Sequence, residues 1–470
     1  NTKGGFNISQ MIESANIENS IFSDCYISEQ AAVVVISNEK CFFNNNIVNF
    51  TSSEDGKSID GMHIKSHGNI IITNNKFTRI RKSKSCGIYI KDYSSNKPDN
   101  TVVFNYNTIE EVGDVPSGVF HIEKSYDFNF DCNIIKNCRI SGFLCQIYLS
   151  NNFFTLTNLT LSGCESKCNT GGGFGLWLVF GSNYIREGIF TMQDCLFENN
   201  TSNSNSGGAF AIGGTSTGRT ELIINNCSFI GNYAEENGGA LSISSTLPAL
   251  IHNCTFIDNL SKLSGGAIFI DPFKLGTGIL GILPKVTISK SIFISNKESN
   301  MNYHDCGHAI SFKYEDYAET VLIITDECQF IDNCNYDHYG ASIKVSPKVF
   351  LFENSTILFT DKNLSIIGLN IGLVENITIR SSYFSNNGNS FDSISLNGYG
   401  DIVIICGVDI LITNCTFYNS SSNYGAIYYC ETINTYENGL LTLDNCFFDE
   451  CYGCFQFDGP NFVNRTAIVR

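Results

Sequence analysis

Cations are scarce in this chain. Lys and Arg number 29 against 46 Asp and Glu, for a formal net charge of −17 over 470 residues. No basic run occurs anywhere. A phosphate backbone is held by clustered cations, so nucleic acid is excluded as an expected partner. The acidic residues are spread along the chain, which points to general solubility and attraction for divalent cations. Charged residues of both signs make up only 16%, below the usual quarter, so Asn, Ser and Thr must cover the surface. Long apolar runs are missing too. Ala31 to Ile36 and Val321 to Ile324 are strand length, whereas a membrane helix needs about 20 apolar residues. No membrane span is therefore expected within these residues. Helical 3.6-residue periodicity is also absent. The chain begins at Asn1 with neither Met nor an apolar leader, as expected after removal of a signal peptide.

What is abundant is cysteine, glycosylation sequons and one repeated module. There are 20 Cys, an even number and high for a reducing compartment. Fourteen N-x-S/T sequons occur. Candidate glycosylation sites are Asn7, Asn49, Asn158, Asn199, Asn200, Asn259, Asn354, Asn363, Asn376, Asn419 and Asn464. Asn226, Asn253 and Asn414 complete the set, and Asn226 falls at an expected tight turn that limits its reach. An Asn- and Ser-rich chain makes some such sites by chance. Together with the cysteines they favour an oxidising, glycosylating route and hence a secreted or extracellular cell-surface location.

The module runs from a β-branched strand through an Asn/Asp turn to Cys-x-Phe, a second Asn turn, small glycines and another strand. Ile223-Ile224-Asn225-Asn226-Cys227-Ser228-Phe229-Ile230-Gly231-Asn232 leads to Gly238-Gly239-Ala240-Leu241. Ile251-His252-Asn253-Cys254-Thr255-Phe256-Ile257-Asp258-Asn259 leads to Gly265-Gly266-Ala267-Ile268. Cys195 to Asn200 precedes Gly207 to Phe210 in the same way. Weaker copies carry Phe293, Phe330, Phe384, Phe417 and Phe448 downstream, and Phe43, Phe77 and Ile134 upstream. Phe330 to Phe384 is longer than one copy and is read as holding an extra coil around Thr356 to Phe359.

One copy cannot bury its own apolar face, so copies must stack. Short period-2 strands then pair in parallel about 4.8 Å apart, and equivalent residues form ladders along the axis. The expected fold is all-β: a single right-handed parallel β-helix domain over residues 1–470, with about fourteen coils of roughly 33 residues. The strongest repeats lie at 190–345, and insertions are expected near 54–58, 94–100, 271–284 and 300–305. Propeller blades need about 40 to 45 residues, and a horseshoe needs its Leu-dense signature.

The pairing of F-x-x-N with G-G-A-[ILVF], clearest at Phe229/Asn232 with Gly238 to Leu241 and at Phe256/Asn259 with Gly265 to Ile268, resembles the repeats of polymorphic outer-membrane proteins. These are bacterial autotransported adhesins with a β-helical passenger, and protist surface proteins carry related repeats. The resemblance implies adhesion or display. The family's C-terminal membrane barrel is not among these residues.

Many parallel β-helices act on acidic polysaccharides with clustered carboxylates. Ser58 to Ile64 resembles the first galacturonase motif around Asp60, but Lys82 to Ile88 lacks the paired Asp that should follow. A pectate-lyase-like site needs acidic partners for Arg81 and Lys82, and none cluster there. No catalytic residue and no cofactor is assigned, and Asp60 reads as a turn cap. His304, His308 and His338 are weak metal-ligand candidates, against the plainer reading of loop residues. Cys195, Cys227, Cys254, Cys328, Cys334, Cys415, Cys446 and Cys451 are candidates for disulfides or for an interior ladder. Tyr303, Tyr314, Tyr317, Tyr336 and Tyr339 form a candidate contact patch; the remaining aromatics read as core. The expected function is a non-enzymatic adhesin or display scaffold with a protein or glycan surface ligand. One alternative is an extracellular structural protein polymerising end to end; the other is a carbohydrate-active enzyme.

Overall fold

The computed structural model describes residues 6–469 apart from 24–32, 50–61, 81–87, 93–100, 116–118, 141–144, 168–173, 178–187, 205, 215–219, 246–247, 273–284, 300–306, 314–319, 335–340, 361–366, 373, 386–400, 406, 421–424, 431–439, 452 and 459–465. The chain divides into two compact units, Asn1–Glu235 and Glu236–Arg470. Every regular element among the described residues is a β-strand.

Each unit is a parallel β-solenoid. A coil of the second unit shows the plan. Ile268–Ile270 is its column I strand and Lys285–Ser289 its column II strand; Ile292–Ile294 forms column III and Lys297–Glu298 column IV. The next coil lays Ile310 to Phe312, Val321 to Thr325 and Gln329 to Ile331 in register beside the first three, all parallel. Columns II and III alternate buried apolar side chains with more exposed ones, as a sheet with one buried face requires, whereas the column I strands Ile268–Ile270 and Gly307–Phe312 are buried throughout.

Column III counts the coils. Its eight strands in the first unit run from Ile21–Ser23 to Ser228–Ile230, and its seven in the second from Thr255–Ile257 to Phe447–Asp449. The coil number therefore departs from the expected fourteen. Counting by Phe misses coils in which another apolar residue takes the inward place, as Ile109 and Leu161 do. Two upstream anchors are also corrected. Phe43 belongs to the long strand Val33–Asn44, and Val48 is the inward column III residue of that coil. Ile135, not Ile134, points into the core of its coil. The extra coil read at Thr356 to Phe359 is present, with Ile357 between Phe330 and Phe384.

Stacking sets the energetics. Phe256, Phe293 and Phe330 are fully buried, with ring centroids 4.7 and 4.6 Å apart and planes within 7°. Each buried side chain of this size contributes about 1.5–3 kcal/mol. The repeated Gly-Gly is explained one glycine at a time. Gly265 has φ +68°, where a Cβ is strained, and a Cβ on Gly266 would overlap the carbonyl oxygens of His308 and Lys297.

Of the expected insertions, 54–58, 94–100 and 300–305 lie outside the described residues, as does all of 271–284 beyond Pro272.

Candidate functional site

The corner between columns II and III is built from two residues in the described coils, with one addition where Asp326 and Glu327 both precede Cys328. The first has φ near +50°, as in Asn74, Asn158, Asn226, Asn253, Asn354 and Asn414. Asparagine suits this left-handed region better than most residues, and its side chain there is exposed. The second residue points inward and is buried. It is Asn in the lower coils of the first unit (Asn46, Asn75, Asn107, Asn133), then the apolar Leu159, then Cys195 and Cys227. In the second unit it is Cys254, Ser291, Cys328, Ser355, Ser382 and Cys415.

What unites Asn, Cys and Ser at this place is a donor. The Sγ–H of Cys227 donates to the carbonyl two residues back, Asn225, at 3.2 Å; Cys254 does so to His252 at 3.2 Å and Cys415 to Thr413 at 3.3 Å. The hydroxyls of Ser291, Ser355 and Ser382 donate to the same carbonyl position at 2.9, 2.7 and 2.9 Å. Asn75 Nδ2 donates to Thr73 at 2.8 Å. Cysteine is thus one of three interchangeable small donors beneath a tight turn.

The corner between columns III and IV works the same way and carries the complementary ladder. Asn200 and Asn232 stack in the first unit, and Asn259, Asn296 and Asn333 in the second, all fully buried. Asn296 Nδ2 donates to Asn333 Oδ1 at 2.8 Å and to the Phe256 carbonyl at 2.9 Å. Its Oδ1 accepts from the backbone N–H and Nδ2 of Asn259 at 3.1 and 2.9 Å. These are the asparagines of F-x-x-N. In the first unit the Asn ladder changes corner: below Asn200 this second position holds Ile80, Val112, Cys138 and Cys164.

All eight cysteines singled out in the sequence stand as thiols in this structure. Cys328 and Cys334 lie at opposite corners of one column III strand, as do Cys446 and Cys451. Burial pushes the Cys41 thiol up to about 12 and that of Cys328 to about 11. Burial, then the neighbouring Cys227, raises Cys195 as well. Cys415 and Cys446 are hydrogen-bonded on successive coils. That bond raises Cys415 and lowers the more exposed Cys446 below its ordinary value.

The sequons separate into two classes. Asn158, Asn199, Asn226, Asn253, Asn354, Asn376 and Asn414 are exposed, and Asn419 and Asn49 partly so. Asn200 and Asn259 are 0% exposed and their amides are consumed in the interior, so they are corrected as glycan sites. The limited reach expected of Asn226 is corrected in the other direction. Asn7 lies on the strand Phe6–Glu18, while Asn363 and Asn464 fall outside the described residues. The F-x-x-N pattern held the missed signal: its Asn stands three positions beyond an inward Phe and directly after the positive-φ corner residue, where the side chain points inward.

Of the other candidates, His308 is fully buried on the strand Gly307–Phe312, while His304, His338, Asp60, Arg81, Lys82 and the five tyrosines lie outside the described residues. Among the described residues no group of three His, Cys, Asp or Glu is placed to hold a metal ion, and no helix is long and apolar enough to cross a membrane. No protein-family profile, curated protein or solved structure matches the chain.

Proposed function

We propose that this protein is a non-enzymatic, secreted or cell-surface glycoprotein that serves as a display and adhesion scaffold. One observation carries the reading. The corner between columns II and III holds two residues in every described coil but one, where Asp326, Glu327 and Cys328 make three, while the connection between columns I and II varies far more in length. Ile270 and Lys285, joining columns I and II, are separated by fourteen residues, whereas Ser245 and Ala249 at the same connection are separated by three. A constant frame with variable connections on its other edges is how solenoids present recognition loops. The F-x-x-N and G-G-A pattern supports adhesion through its resemblance to polymorphic outer-membrane protein repeats. The interior is filled by Phe, Ile, Asn and Cys ladders, and the amides of Asn259, Asn296 and Asn333 are hydrogen-bonded in series.

The test is to immobilise the full chain and expose it to a panel of glycoproteins and acidic polysaccharides, measuring retention and released sugar products together. Retention of one ligand class with no product is expected. Product release from polygalacturonate would overturn the reading in favour of a polysaccharide-active enzyme.

A further inference from the structure

The corner between columns II and III places sequons in a pattern that the fold alone does not require. A sequon here consists of an exposed Asn at positive φ, a buried residue (Leu159, Cys227, Cys254, Ser355 or Cys415), and a Ser or Thr at the outward start of column III. Asn158, Asn226, Asn253, Asn354 and Asn414 each satisfy it, with Thr160, Ser228, Thr255, Thr356 and Thr416 partly exposed. Column III could favour Thr through β-propensity alone, but Thr would then appear whatever stood at the corner. Where the positive-φ residue directly before the buried position is not Asn, only Tyr106 is followed by a hydroxyl at that place. Cys132, Asp194, Lys290, Glu327 and Ser381 are followed there by Ile134, Leu196, Ile292, Gln329 and Tyr383. Of the nine asparagines at this corner among the described residues, five are followed there by Ser or Thr and four, Asn19, Asn45, Asn74 and Asn445, are not, against one of the six other corner residues.

Spacing and surroundings agree. In the first unit Asn158 and Asn226 lie two coils apart, and in the second Asn253, Asn354 and Asn414 are separated by three coils and then two. At about 4.8 Å per coil this gives roughly 10–14 Å between acceptors, room for one branched glycan each. The faces beside this corner in the second unit carry outward aliphatic side chains: Ile257, Ile294 and Ile331 on column III, and Ile323, Leu351 and Leu411 on column II. Leu411 is 39% exposed.

We propose that these five asparagines are N-glycosylated and that their glycans cover the aliphatic ladders on either side of the corner. The inference rests on the secreted reading and names the modified positions within it.

The experiment is site mapping on the full chain recovered from a eukaryotic secretory route. N-glycans are released in ¹⁸O-water and the converted asparagines identified by peptide mass spectrometry. Label at Asn158, Asn226, Asn253, Asn354 and Asn414, with none at Asn200 or Asn259, is the expected result. Label elsewhere with the corner bare overturns the inference while leaving the secreted reading standing. No label at any sequon overturns both. The variants Thr255→Val and Thr416→Val remove single sequons without touching the corner residue. Each is expected to lose one glycan, stay folded and bind more of an apolar-surface dye; unchanged dye binding by the glycan-free variants would overturn the shielding role.

Discussion

A buried amide with four hydrogen bonds is the unit on which the second unit's interior is built. Asn296→Leu keeps the branched shape, with somewhat larger methyl groups, but leaves the Phe256 carbonyl, the Asn333 oxygen and both Asn259 donors without this partner. Each unsatisfied buried group costs about 1–3 kcal/mol, so this variant is expected to lose about 3 kcal/mol or more in urea unfolding followed by circular dichroism. A loss below about 1 kcal/mol would show that the ladder is not structural. The thiols give a second residue-scale prediction. A raised thiol holds less thiolate at a given pH, and the thiolate is the nucleophile. Brief alkylation near neutral pH is expected to label Cys446, lowered by its bond from Cys415, well before Cys41 or Cys328. Peptide mass spectrometry reads the order, and labelling of Cys41 first would contradict it. The cysteine count was visible in the sequence, but its meaning was not. Cys, Ser and Asn share one donor role beneath the turn, so the number of cysteines follows from corner chemistry as much as from compartment.

At the scale of the element, the column II to III corner holds two residues in every described coil but one: between Thr325 and Gln329 it holds three, Asp326, Glu327 and Cys328, with Asp326 and Glu327 both at positive φ. The second left-handed residue absorbs the addition, so Phe330 still faces the core. One valine inserted between Lys290 and Ser291, a β-branched residue that the left-handed region disfavours, is expected to lower the β-sheet signal of the second unit or send the protein to the insoluble fraction. The same insertion between Ile270 and Lys285, a connection that already varies in length between coils, is expected to leave the spectrum unchanged. Equal tolerance at both places would contradict the assigned roles. The sequence made these elements legible wherever Cys-x-Phe stood. The misplacement of Phe43 shows where legibility ended. Phe43 and Phe77 both face the core and their rings stack 6.4 Å apart, yet they belong to different columns. An inward aromatic looks alike in sequence whichever column holds it.

For the whole molecule, the repeat alone carried the parallel solenoid, because one period with inward Phe and paired glycines admits few other folds. The site was less legible. Which sequons face out depends on corner geometry, and the sequon at Asn259 reads like that at Asn253 until one is seen to point inward and the other outward. Net charge of −17 and sparse cations suit an acidic, solvated surface and give no purchase for nucleic acid. The central claim is that this scaffold works outside the cell. The most direct measurement is protease treatment of intact source cells, with an antibody against the chain reading both cells and medium. The account predicts a chain in the medium, or one cut on intact cells with an internal cytosolic marker untouched. A chain retained within intact cells and protected until lysis would contradict it.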